Sequence, residues 1–167
     1  MSLDENKNLI RGYIQAIDGN QTSDWSVLDE YIAQDFVAHN PAVPGVSLDR
    51  EGMKQAAEIF RVATPGRHEI LLQVAEGDLV VSQIVGRGVH AGELLGIPAT
   101  NKEIETEGIA IHRVRDGKIV NTGRSPTSRV SSSRWARCQD RLAERSKHPA
   151  PQRSQSAHRV RVFRSAL

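Results

Sequence analysis

The chain changes character at Asn121, and that change confines any packed core to the residues before it. From Asn121 onward, 47 residues carry eleven lysines and arginines against two acids, whereas the first 120 residues carry eleven against eighteen. A small overall charge of +2 therefore hides an acidic body of −7 and a basic tail of +9. In the tail arginine outnumbers lysine ten to one, serine is abundant and no apolar period runs through it, so no core of its own is expected there. The expected organisation is one α+β domain over 1–120 and a basic Arg/Ser-rich tail over 121–167. The tail also begins where a strand should be running. Read one base earlier, DNA that encodes Asn121 to Ser133 can also encode E-H-W-S-E-P-D-I-A-G-L-L-Q, a strand followed by an amphipathic end. The tail is thus either a disordered basic extension or coding sequence frameshifted after Val120, and in both cases the final strand is expected to be interrupted at that point.

Within the body the hydrophobic period switches once. Leu9, Ile10, Tyr13, Ile14 and Ile17 recur at helical spacing, and Gly19-Asn20 supplies a stop. A second helix is expected from Ser23 or Asp24 with an inner stripe of Trp25, Leu28, Tyr31 and Ile32, followed by an extended segment from Asp35 to Pro41. A third starts near Ser47 or Asp49 and turns Met53, Ala56, Ala57 and Phe60 inward, and Thr64-Pro65-Gly66 closes it. From His68 the period becomes two. His68 to Ala75 and Leu79 to His90 read as strands joined at Glu76-Gly77-Asp78, with Leu79, Val81, Val85 and Val89 on one face of the second. Gly92 to Asn101 is a loop. Glu103 to Val114 is a third long strand, and Arg115-Asp116-Gly117-Lys118 is a two-residue hairpin signal leading into a fourth. Three helices followed by a meander of antiparallel strands predict helices on one face of a curved sheet.

Composition removes several function classes. The single cysteine, Cys138, excludes an intrachain disulfide and a cysteine metal cage. Six histidines without H-E-x-x-H or H-x-H spacing argue against a protein-held metal, so no metal and no cofactor are expected. The start of the chain has no basic and apolar leader, and no apolar run is long enough for a membrane span, which points to a cytoplasmic protein without a membrane partner. The basic tail alone suggests nucleic acid, but base-stacking aromatics and a recognisable motif are lacking, so a nucleic-acid partner is not expected.

Two segments carry a family resemblance: Gly88-Val-His-Ala-Gly-Glu-Leu-Leu-Gly-Ile-Pro-Ala-Thr100, and Ile109 through Ile119 with its D-G-K turn. With the earlier F-x-x-H-x-P segment at Phe36, His39 and Pro41, they resemble the SnoaL-like polyketide cyclase (ester cyclase) family over residues 5 to 120. The resemblance implies the cone-like, nuclear-transport-factor-2-like α+β barrel. It implies a small-molecule substrate, an aromatic polyketide ester closed by intramolecular aldol chemistry without a cofactor, and a homo-oligomer if the sheet is intact. Family members continue after D-G-K-I-V with E-H-W-x-x-x-D and draw a pocket carboxylate from that last strand. Here those residues are absent, and Ala110 stands near where the cyclases place a strand histidine. The alternatives to an enzyme are a non-catalytic small-molecule-binding domain of the same fold, or an inactive frameshifted product.

The residues themselves offer a site. On the third strand Ile104, Thr106, Gly108, Ala110, His112 and Val114 share one face, small in its middle, so Thr106, Gly108 and Ala110 are expected to line a cavity. His112 is either its acid–base group or a hydrogen-bonded core histidine. His90 and Glu93, at a strand end beside a glycine-rich loop, could polarise a substrate carbonyl or simply hold the loop. His39 lies on the opposite face from Phe36 and Ala38, as a pocket group or a cap on the Pro41 loop. Glu105 and Glu107 point together, either as paired carboxylates or as a solvated face.

Overall fold

The fold is described from a computed structural model over residues 2–40 and 43–126. The choice between disorder and a frameshift for residues 127–167 falls outside the described residues. The first helix, α1 (Leu3–Gly19), starts on a reciprocal cap: the Ser2 hydroxyl accepts from the Glu5 amide while Glu5 accepts from the Ser2 amide. It buries Ile10, Tyr13 and Ile14 and ends at Asn20, whose N–H donates to the Ile17 carbonyl. The second α-helix, α2 (Arg50–Ala63), is capped by Asp49, which accepts from the Gly52 amide at 2.8 Å, and it buries Met53 and Ala56.

The expected middle helix is a single 3-10 turn, Ser26–Glu30, and the chain passes at Ile32 straight into strand β1 (Ile32–Ala38). The stripe Trp25, Leu28, Tyr31 repeats every three residues, which suits a three-residue turn as well as an α-helix. Its exposed C-terminal carbonyls are satisfied from far along the chain, because Lys118 Nζ donates to the carbonyls of Asp29 and Glu30.

Strands β2 (Gly66–Glu76), β3 (Leu79–Val89), β4 (Glu103–Arg115) and β5 (Lys118–Pro126) complete one sheet in the order β1-β5-β4-β3-β2, antiparallel except for β1 against β5. Asp116 and Gly117 both take positive φ (50° and 73°), the geometry that lets a two-residue turn follow the twist of its strands. The α+β layout of a curved sheet with helices on one face is therefore as expected.

The exception is the last strand. It does not stop at Val120: Asn121 pairs with Arg113, Thr122 with His112, and pairing with β4 continues to Pro126 opposite Gly108. On its other side Val37 and Ala38 pair with Asn121 and Thr122, and the Asn121 amide donates to the Val37 carbonyl. Ladder bonds use backbone groups that nearly every residue carries, so a change in composition need not end a strand. β-Branched Thr122 falls on the buried face and is 5% exposed. The sheet is thus closed at its centre rather than left with an unfinished edge.

The core lies between the helices and the inner face of the sheet, and includes Ile10, Tyr13, Leu28, Ile32, Phe36, Val80, Val114 and Ile119. On β3 the inner set is Val80, Ser82 and Ile84, whereas Leu79, Val81, Val85 and Val89 share the outer face. Helix α1 is tied across the β2 side by Asn6 Nδ2 donating to the Gly77 carbonyl and by a contact between Asp18 and His68.

Candidate functional site

The inner face of β4 grades from sealed to open along its length. At one end His112 is buried between Val80 of β3 and Thr122 of β5, and Ala110 lies beside Ser82, itself fully buried. Gly108 and its neighbour Ile84 are half-buried, and Thr106, opposite Gly86, is exposed. Thr106, Gly108, Ala110 and His112 thus form one lane, as their alternation requires, that runs from solvent into the core. Thr106 and His112 are six residues apart on the strand, about 20 Å along its axis.

At the sealed end the His112 ring meets Tyr13 of α1 edge-on, with centroids 6.1 Å apart and planes at 70°. Gln73 Nε2 donates to the Ser82 hydroxyl at 3.1 Å. Gln73 Oε1 and Thr122 Oγ1 are buried on this face without a hydrogen-bond partner among the described residues.

The other two candidate histidines, His39 and His90, follow the ends of β1 and β3. His39 is exposed at the end of β1, its N–H donating to the Thr122 carbonyl. Its ring lies over Gly123, with Cδ2 3.5 Å from where a Cβ would stand, and Gly123 shares the outer face with its partner Ile111. Because Phe36 and Ala38 point into the core, period two turns His39 away from it. His90 is 1% exposed and is the hub of the loop that follows it. Its N–H donates to the Lys102 carbonyl, its carbonyl accepts from Thr100 and Asn101, and its Nδ1 lies 3.1 Å from the Thr100 hydroxyl.

The rest of that segment is equally architectural. Ala91 and Gly92 both donate to the Ala63 carbonyl at the end of α2, and a Cβ on Gly92 would come within 2.9 Å of Ala63 Cα and of the Val62 carbonyl. Leu94 and Ile97 bridge each other around Leu95 and Gly96, both at positive φ. The H-x-G-E segment therefore builds the loop at the open end of the lane, and Glu93 is exposed on it. Glu105 and Glu107 lie on the outer face with different partners: Glu105 accepts from Arg87 Nε at 2.7 Å and Glu107 from Gln83. They are cross-strand pairs of a solvated face.

One pair of groups at the open end escapes sequence reasoning altogether. Asp18, in the last turn of α1, accepts from the His68 backbone N–H at 2.7 Å through Oδ2 and meets His68 Nδ1 at 2.7 Å through Oδ1. The only signal for it in the sequence is a carboxylate continuing the inner stripe of α1 one turn beyond Ile14, fifty residues before its partner.

Elsewhere, Glu58 on α2 gathers Arg61, the Trp25 indole N–H and the Ser23 hydroxyl. Arg61 first and Trp25 next stabilise its charged form and lower its pKa from the ordinary 4.5 to about 2. Among the described residues no group of three or more His, Cys, Asp or Glu side chains could hold a metal ion, and no helix is long and apolar enough to cross a membrane.

Comparison with known proteins gives a consistent picture. A family model described as SnoaL-like polyketide cyclase matches residues 7–124. The chain is 27% identical over 114 residues to the aklanonic acid methyl ester cyclase DauD of Streptomyces sp. (strain C5), covering 67% of this chain and 70% of that protein. Among solved structures it is similar to IdmH, a candidate polyketide cyclase from Streptomyces antibioticus, with a TM-score of 0.65 and 29% identity over 78% of this chain and 98% of that one. AclR, a candidate hydroxylase from Streptomyces galilaeus, shares the fold with a TM-score of 0.67 and 23% identity, covering 81% and 98% of the two chains.

Proposed function

The chain belongs to the SnoaL-like polyketide cyclase family, and from that cyclase-type function we propose that it closes a ring on a small aromatic polyketide-like ester by cofactor-independent aldol chemistry on the inner face of its sheet. The observation that carries this reading is the lane on β4, where Thr106, Gly108 and Ala110 lead from solvent to a buried histidine. A flat ligand suits such a lane, at whose sealed end the oxygens of Gln73 and Thr122 are buried without a hydrogen-bond partner among the described residues. The likeness to an aklanonic acid methyl ester cyclase supports a substrate of that chemical kind.

In this reading a base removes a proton from carbon next to one carbonyl, the resulting enolate carbon attacks a second carbonyl, and the new alkoxide takes up a proton. Extended conjugation in such esters acidifies the carbon acid, so one or two positioned acid–base groups suffice, each contributing roughly 10²–10⁴-fold. His112 is the acid–base group, His90 and Glu93 belong to the loop at the mouth, and His39 takes no part. Incubation with aklanonic acid methyl ester, followed by chromatography, tests it. His112→Gln should lower kcat by roughly 10²-fold or more with the fold intact; turnover unchanged in that variant would remove His112 from the chemistry.

A second reading, a binding domain without turnover, is favoured by one observation: the strand positions flanking His112 are Val80 and Thr122, so neither supplies a carboxylate. It requires saturable binding of the same ester with no product from wild-type protein.

A further inference from the structure

We propose that Asp18 and His68 form a second polar site at the open end of the lane, one that takes the proton of an acidic phenolic or enolic hydroxyl on the bound ligand and holds the oxyanion. The proposal rests on the reading that ligand lies on the inner face, and it adds which chemical group is recognised at the mouth.

Asp18 fixes the orientation of the His68 ring. A carboxylate only accepts hydrogen bonds, so its contact with His68 Nδ1 places the ring proton there and leaves the Nε2 lone pair on the far side. The second carboxylate oxygen grips the His68 backbone N–H, so ring and main chain are fixed by one group.

A Cβ built on Gly86 would stand 3.5 Å from His68 Nε2, 3.3 Å from its Cδ2 and 3.1 Å from the Thr106 hydroxyl. His68 Nε2 and the Thr106 hydroxyl therefore flank Gly86 from the two neighbouring strands, and a side chain there would crowd both. His68 is 42% exposed in its side chain and Asp18 21%, so the acceptor is reachable while its carboxylate is partly shielded.

Distance assigns the role. His68 sits at the level of Thr106, about 20 Å along β4 from His112, too far for the two histidines to act on one bond. A multi-ring ligand can nonetheless reach from one to the other. The step at His68 is a proton transfer from ligand oxygen to Nε2, giving a phenolate or enolate beside an imidazolium, with the Thr106 hydroxyl free to donate to the same oxyanion. His68 is then the group that touches ligand and Asp18 a positioning residue.

Alizarin is a suitable probe, because ionising its phenol shifts its visible absorption to longer wavelength. Wild-type protein should bind it and display the ionised band at a pH where free alizarin is largely neutral. His68→Gln and Asp18→Asn should lose that band and bind about tenfold more weakly or worse, whereas Ile111→Ala, on the outer face, should keep it. A band unchanged in His68→Gln overturns the proposal, as does failure of wild type to bind alizarin. Turnover of aklanonic acid methyl ester is scored separately, so the proposed function can survive either result. If Asp18→Asn unfolds the N-terminal helix, as circular dichroism would show, the His68→Gln spectrum decides alone.

Discussion

The two faces of strand β4 are made from alternate residues of one segment, yet they obey different rules. Outward, Glu105 joins Arg87 and Glu69 in a chain of ion pairs, Glu107 takes a hydrogen bond from Gln83, and Arg113 pairs with Asp78. Ile109 and Ile111 remain 37% and 46% exposed among them. Inward, the same strand shows Thr106, Gly108, Ala110 and His112, packed at one end under α1 and open at the other. On the outer face stability is spread over weak, screened contacts. On the inner face each side chain either fills the core or leaves room for a ligand, so chemistry can only be placed where bulk is withheld.

The sharpest way to break this contrast is to make one substitution on both sides. Ile119 is 1% exposed and packs in the core between β1 and β4 partners, whereas Ile111 is on the outer face. Ile119→Ala should cost about 2–5 kcal/mol in chemical denaturation, and Ile111→Ala less than about 1 kcal/mol. Equal costs would mean that the outer face is covered by a partner in solution.

A smaller effect is expected where the lane meets its loop. Gly92→Ala places a methyl group 2.9 Å from Ala63 Cα and the Val62 carbonyl, both main-chain atoms that cannot swing aside. A cost of about 1–3 kcal/mol follows from such overpacking, together with faster proteolysis within residues 91–101. Gly19 has nothing within 4 Å of its would-be Cβ, so Gly19→Ala should be neutral or slightly stabilising and serves as the control.

How much of this was legible beforehand depends on the range of the interaction. The periods of α1 and α2, the Asp116-Gly117 turn and the face shared by Thr106 and His112 are local patterns, and the structure has them where the residues place them. The stripe at Trp25, Leu28 and Tyr31 predicts a helix where a 3-10 turn forms, because three-residue and 3.6-residue periods are indistinguishable over so short a stripe. The run of β5 to Pro126 has no signature in composition, because its ladder is written in backbone groups while composition records side chains. His90 stands out through its motif, and its main-chain and ring contacts with residues 100–102, set by the fold of the loop, are not written in that motif. Asp18 and His68 had no local signature, since a helix end and a strand start meet only when α1 crosses the sheet.

On the outer face itself, Arg87→Ala should cost less than about 1 kcal/mol, although it removes two ion pairs at once. The three side chains are about half exposed, so water and salt already share their charges. Raising the salt concentration should therefore lower wild-type stability slightly towards that of the variant; a deficit unaffected by salt would mean that Arg87 acts through the packing of its aliphatic stem.

A further effect is a matter of pH and belongs to neither face. Glu58 ionises with a pKa near 2 when folded, against an ordinary 4.5, because Arg61 and the Trp25 indole hold its charged form. A depressed folded pKa means that the unfolded chain binds the proton more readily. The stabilisation is thus complete above pH 4.5 and is lost as pH falls from there towards 2. Other carboxylates also protonate over that range, so the informative quantity is the difference between wild type and Glu58→Gln. Thermal melts of both should converge as the solution is acidified from pH 5 to pH 2, with wild type the more stable at the upper end. A constant gap would mean that Trp25 and Arg61 are held by packing rather than by the charge on Glu58. In that case the junction between the 3-10 turn and α2 would follow the inner-face rule, where shape decides, and not the outer-face one.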